Sequence, residues 1–181
     1  MKIAISQQDI AIPSRSWTGD ALERAWHIFL PKHQLIPIPN TGILPIWLDC
    51  DAVILSGGPF SVYRTLTEVE LIKYALKKDI PLVGFCHGAF VINEFLGGTN
   101  NTIDGHNGPM HEVEMEGQIH EVNSYHGMNI ARLATDLDTL AVHDKTIEAF
   151  DHRSKSIWGI IWHPERQVDP VLPKNLRKIL L

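Results

Sequence analysis

The segment Gly84-Phe85-Cys86-His87-Gly88 is the first place in this sequence where residue types and spacing suggest chemistry. An apolar run, Ile80–Phe85, leads into it. A helical pattern, Gly88–Leu96, leaves it and stops at Gly97-Gly98. A strand that turns sharply at a glycine-flanked nucleophile and passes straight into a helix presents that side chain at the end of a sheet. The sulfur of Cys86 would then sit at a helix N-terminus, whose dipole and free N–H groups favour its negatively charged form. Cys50 has no such setting and reads as a structural cysteine.

A thiol nucleophile needs a base, and the base needs an orienting group. Ile157–Glu165 (IWGIIWHPE) offers both. A strand delivers His163, Pro164 prevents the strand from running on, and Glu165 follows close enough to orient the imidazole. The third piece is Ser56-Gly57-Gly58-Pro59, directly after the apolar run Ala52–Leu55. Glycines there allow backbone N–H groups to approach a ligand closely. The glycine amides of this loop could supply one half of an oxyanion hole and the N–H of His87 the other.

These pieces need a scaffold. Lys2–Ser6, Gln34–Ile38, Ala52–Leu55 and Ile80–Phe85 read as strands. Asp20–Lys32 and Thr67–Lys78 read as helices on their 3.6-residue spacing. Thr67 and Glu70 are read as the capping box of the second helix. Strands alternating with helices predict an α/β fold with a mostly parallel central sheet. Glu112–Asn123 instead alternates polar and apolar around Gly117, which predicts a small antiparallel extension with one wet face. Thr146–Phe150 and Ser156–Trp162 read as further strands, and Pro170–Leu181 as a closing helix.

The blocks LSGGPFSVY, VGFCHG and IIWHPER, in this order and spacing, resemble the three signature blocks of class I (triad-type) glutamine amidotransferases and related γ-glutamyl hydrolases. The resemblance covers nearly the whole chain and implies a flavodoxin-like fold. It implies Cys86 as nucleophile, His163 as general base and acid, Glu165 as its orienting group, and Gly58 and His87 as oxyanion-hole donors. It further implies a substrate pocket that includes Gly57, Phe90, Asn123, Ser124, Tyr125 and His126. The implied chemistry is attack on a γ-glutamyl amide, a γ-glutamyl thioester, and release of glutamate by water, with no metal or organic cofactor.

One departure stands out. The family usually carries Gln four residues after the nucleophile, where this chain has Phe90. An apolar ring there replaces an amide of the glutamine pocket and favours a free-standing hydrolase of a small γ-glutamyl conjugate. The GIIWHPER block is most similar to such hydrolases. Within them it resembles those of bacterial capsule phosphoramidate pathways, which act on γ-glutamyl-CDP-amidate. A diphosphate leaving group needs positive charge, for which Arg15, Arg64 and Arg166 are the candidates. The alternative is a glutaminase subunit that hands ammonia to a separate synthetase partner. A third reading, similar to the intracellular-protease and chaperone superfamily, makes His87 the base and includes redox proteins.

Composition sets the outer limits. The chain has 181 residues with 44% hydrophobic and 20% charged, ordinary for one globular domain, read here as residues 1–181. A net charge of −5 lacks the footprint of a nucleic-acid binder. No apolar stretch is long enough for a membrane span, and the N-terminus lacks the pattern of a signal peptide. A reducing cytoplasm is the expected compartment. His106, His111, His120 and His126 fall close together, but none shows the paired spacing of a zinc site. The five tryptophans read as mostly structural, with Trp17 and Trp162 the two to expect near a ligand.

Overall fold

The computed structural model describes residues 1–11 and 18–181; Arg15 and Trp17 lie outside the described residues. The elements in chain order begin with β1 (Lys2–Ser6), β2 (Gln8–Ala11), β3 (Thr18–Ala21), α1 (Arg24–Phe29), β4 (Gln34–Ile38) and β5 (Ala52–Leu55). Then come α2 (Val62–Lys78), β6 (Leu82–Phe85), α3 (His87–Phe95), β7 (Thr99–Thr102), β8 (Asn107–Met115) and β9 (Gln118–Tyr125). The last are β10 (Met128–Arg132), β11 (Leu137–His143), β12 (Thr146–His152), β13 (Ile157–Ile160), a 3-10 turn (Pro164–Arg166) and α4 (Lys174–Leu180).

Nine strands form one mixed sheet in the order β4-β1-β5-β6-β13-β12-β11-β8-β9. The pairs from β4 through β13 are parallel. The pairs from β13 through β9 are antiparallel. The antiparallel extension is thus four strands wide and includes β11, which was not read from the sequence.

Period-2 alternation sorts the buried strands onto two faces. Ile3, Ile5, Ala52 and Ile54 face a core completed by Trp26, Phe29 and Leu30 from the α1 segment and by Leu176 and Leu180 from α4. Ala4, Val53 and Leu55 face the opposite core, filled by Leu71, Ile72 and Ala75 of α2 and Ala89, Val91 and Ile92 of α3. Helices therefore cover both faces, a three-layer α/β/α arrangement. Phe85, just before the nucleophile, is locked edge-on against Trp26 at 5.1 Å and Phe29 at 6.4 Å between ring centroids.

Element boundaries differ from the sequence reading at informative places. The expected helix Asp20–Lys32 is a short helix, α1, preceded by β3, because Thr18–Ala21 pairs with β2 as a hairpin. It ends before Pro31, whose ring cannot enter a helix interior. α2 starts at Val62, earlier than expected, because Ser61 caps it by accepting a hydrogen bond from the Arg64 N–H at 3.2 Å. Thr67 is an interior residue whose hydroxyl donates to the Tyr63 carbonyl at 3.0 Å. The closing helix begins only at Lys174, after Pro173.

Candidate active site

The elbow at Cys86 is built by close packing. Cys86 has φ 48° and ψ −105°, a conformation that L residues rarely adopt and that the surrounding structure must impose. Its N–H donates to the Ile160 carbonyl at 2.7 Å, which ties the elbow to β13. A Cβ on Gly84 would lie 2.5 Å from the Gly88 backbone, and a Cβ on Gly88 would strike the Leu55 carbonyl. Both flanking glycines are therefore required by contact. His87 is the first residue of α3, so its N–H has no partner within the helix.

His163 leaves the end of β13, the strand paired with β6. Its Nδ1 lies 2.6 Å from Glu165 Oε1, and both side chains are buried. Burial pulls the His163 pKa down, but hydrogen bonds to Cys86 and Glu165 and the charges of both outweigh it, leaving the ring pushed up to about 9. The imidazolium is thus the favoured form at neutral pH. A Cβ on Gly57 would strike His163 Cε1, so the Ser56–Pro59 loop lies against the imidazole with Gly58 next along it. Cys86, His163, Glu165 and this loop come together at the C-terminal ends of parallel strands, the usual site location in such sheets.

The remaining candidates divide. Both ends of the Asn123 amide are engaged by the main chain of His163, donating to its carbonyl and accepting from its N–H, each at 2.8 Å. Ser124 is buried and donates to the His106 carbonyl at 2.5 Å. Tyr125 is exposed, with its ring 6.0 Å from that of His163 and Arg166 stacked over it at 5.6 Å. His126 is buried and turns toward Glu148. Phe90 is buried on α3, its ring 6.4 Å from that of His126.

Arg64 is fully buried and faces the protein. Its guanidinium donates to Glu68 at 2.9 Å, to the Gly57 carbonyl at 3.1 Å, and to the Ser56 carbonyl. It braces the glycine loop from behind. Arg166 bonds to Glu23 and lies 3.7 Å from Glu165 Oε1. Burial works against the Glu23 carboxylate, yet hydrogen bonds from Arg166 and Gln8 hold its pKa below the usual range. Glu68 escaped the sequence reading. It accepts from Ser6 Oγ at 2.8 Å, and its Oε2 lies 3.0 Å from His87 Nε2. Its only signal was the spacing from Arg64 on one helix face, a pattern that exposed pairs share.

The fold and these residues together define a class. Residues 32–181 match the family Glutamine amidotransferase class-I. The chain belongs to that family. A gamma-glutamyl-CDP-amidate hydrolase of Campylobacter jejuni is 39% identical over 126 residues, covering 64% of this chain and 62% of that protein. A carbamoyl phosphate synthase small chain of Parasynechococcus marenigrum is 29% identical over 127 residues, covering 66% of this chain and 33% of that protein. The chain thus spans less than two thirds of either relative. In three dimensions, a glutamine amidotransferase from Thermotoga maritima superposes with a TM-score of 0.71 at 18% identity, covering 91% of this chain and 76% of that one. No helix among the described residues is long and apolar enough to cross a membrane.

Proposed function

We propose that this chain is a single catalytic domain that hydrolyses a γ-glutamyl amide through Cys86. The observation that carries this reading is the buried His163 imidazole, its Nδ1 2.6 Å from Glu165 Oε1 and its pKa raised by Cys86 and Glu165 together. The sulfur attacks the γ-carbonyl carbon, and the carbonyl electron pair moves onto oxygen, beside the Gly58 and His87 amides. The tetrahedral intermediate collapses. Its C–N bond breaks, and the leaving nitrogen takes a proton from His163. The product is a γ-glutamyl thioester. Water then attacks that carbon and gives a proton to His163. Collapse expels the sulfur and frees glutamate. Glu165 holds the ring in place and stabilises its charge.

For the substrate, we favour a small γ-glutamyl conjugate, with γ-glutamyl-CDP-amidate first. The likeness to the Campylobacter jejuni hydrolase supports this. So does the apolar Phe90 where an amide of the glutamine pocket is usual in the family. The second reading, a glutaminase subunit that supplies ammonia to a separate synthetase, rests on the likeness to a carbamoyl phosphate synthase small chain.

Glutamate release decides between them. Purified protein and its Cys86→Ala variant are offered L-glutamine, γ-glutamyl amines and γ-glutamyl-CDP-amidate in parallel. Release from a conjugate, lost in the folded Cys86→Ala variant, is the expected result. Release from glutamine alone would support the subunit reading. Equal turnover by both proteins would remove Cys86 from the mechanism.

A further inference from the structure

Three histidines converge on one carboxylate that the hydrolytic chemistry leaves unused. His106 immediately precedes β8, His111 lies within it, His126 follows β9, and Glu148 stands on β12. His106 Nδ1 lies 3.6 Å from Glu148 Oε1, while His111 Nε2 and His126 Nε2 lie 3.7 and 3.5 Å from Oε2. These separations are too long for hydrogen bonds. His106 Nδ1, His111 Nε2, His126 Nε2 and Glu148 Oε2 are all buried without a hydrogen-bond partner. Buried polar atoms are paired as a rule. Three histidine orphans gathered about the Glu148 carboxylate mark the place of a group that would satisfy them together.

The spacing fits a cation. Ligand atoms of His106, His126 and Glu148 all lie within 4.8 Å of one another. Zinc held by nitrogen and oxygen at about 2.0–2.1 Å places neighbouring tetrahedral ligands roughly 3.3–3.4 Å apart. The donors are also oriented from outside, as metal ligands usually are. His126 Nδ1 lies 2.8 Å from the Met128 carbonyl, so that nitrogen carries the proton and Nε2 turns its lone pair inward. Thr146 Oγ1 donates to Glu148 Oε1 at 3.0 Å. His143 stacks on His111 at 4.1 Å, its own Nδ1 lying 2.6 Å from the Glu112 carbonyl.

We propose that His106, His111, His126 and Glu148 bind one divalent transition-metal ion, zinc foremost. The ion would tie the open end of the β8–β9 hairpin to β12. That end carries Asn123, which holds the main chain of His163. The role is structural, and the site needs no contribution from Cys86.

The test uses the full chain carrying Cys86→Ala, so that no elbow thiol can ligate. The protein is stripped with a chelator and then loaded with zinc or, separately, cobalt(II). One bound equivalent is expected after desalting, measured by elemental analysis. The cobalt form should show ligand-field bands without thiolate charge transfer. Zinc at a hundredfold excess over Kd should raise Tm by roughly 5–10 °C. Adding Glu148→Gln or His106→Gln should weaken uptake by about tenfold or more. Parent uptake below about a tenth of an equivalent, or uptake in both variants as tight as in the parent, would overturn the proposal. Should the variants fail to fold, the cobalt spectrum of the parent decides. Ligand-field bands without charge transfer support the site, and their absence overturns it.

Discussion

Asn123 grips His163 by its backbone. Its amide donates to the carbonyl and accepts from the N–H of the same residue, each at 2.8 Å. Strand β9 thereby fixes the position from which the imidazole projects. The pair of bonds is buried, so neither can be replaced by water without cost. Asn123→Ala should lower kcat by roughly tenfold to a hundredfold, because a small displacement of a catalytic group costs that much. KM should change little. The two constants measured separately check this, and an unchanged kcat would show that the grip is dispensable.

The His163 pKa of about 9 reports its two partners. Cys86→Ala removes one raising contact and Glu165→Gln weakens the other, while burial, which lowers the value, stays. Each variant should therefore titrate below wild type, and the double variant below both. An NMR titration of the His163 ring is the direct measurement. A value unmoved in both single variants would mean that neither partner acts on the ring.

The same shift makes stability depend on pH. The folded-state value lies above the ordinary 6.5, so the folded protein holds this proton more tightly than the unfolded chain. The contribution is fully present below about 6.5 and is lost as pH rises through about 9. Tm should fall across that window by more in wild type than in the Cys86→Ala, Glu165→Gln double variant. Parallel melting curves for the two proteins would contradict it.

Gly84→Ala tests the packing of the elbow. The new Cβ would lie 2.5 Å from backbone atoms of Gly88, which cannot move aside alone. A loss of about 1–3 kcal/mol is expected, the range for overpacking. Gly127→Ala, where nothing lies within 4 Å, serves as the neutral control. Equal denaturation midpoints for the two variants would show that the elbow has room.

Arg64 and Glu68 form an ion pair with both side chains fully buried. Glu68→Ala leaves a buried charge uncompensated and should cost about 3–5 kcal/mol. Replacing both residues by apolar ones should cost less than the single change, because no charge is stranded. Chemical denaturation of the three proteins gives the comparison. A double variant less stable than Glu68→Ala would count against the stranded charge as the source of the loss.

Local signals were legible where short stretches decide the structure. The elbow could be read because contact with Gly88 and Leu55 admits only glycine on either side of the nucleophile. The AVIL strand could be read because both its faces are covered. β11 was missed because its register with β12 shifts between Thr139 and Val142, which breaks the alternation that marks a strand. The short α1 was overcalled because Asp20 and Ala21 fit a helical spacing, yet pair with β2. The inner role of Arg64 and Glu68 was hidden because burial of a helix face depends on what packs there. The cluster around Glu148 draws on separate strands, so no spacing along the chain could reveal it.

β13, which leads into His163, is the last strand among the described residues and the most central in the nine-stranded sheet. β13 lies between β6 and β12 and, among the described residues, is the only strand that joins the parallel half to the antiparallel half. During synthesis, the elbow cysteine therefore emerges long before the histidine that completes it. Until β13 inserts, the two half-sheets share no ladder. A chain cut before β13 would lack both His163 and Glu165 and would leave the two half-sheets unjoined.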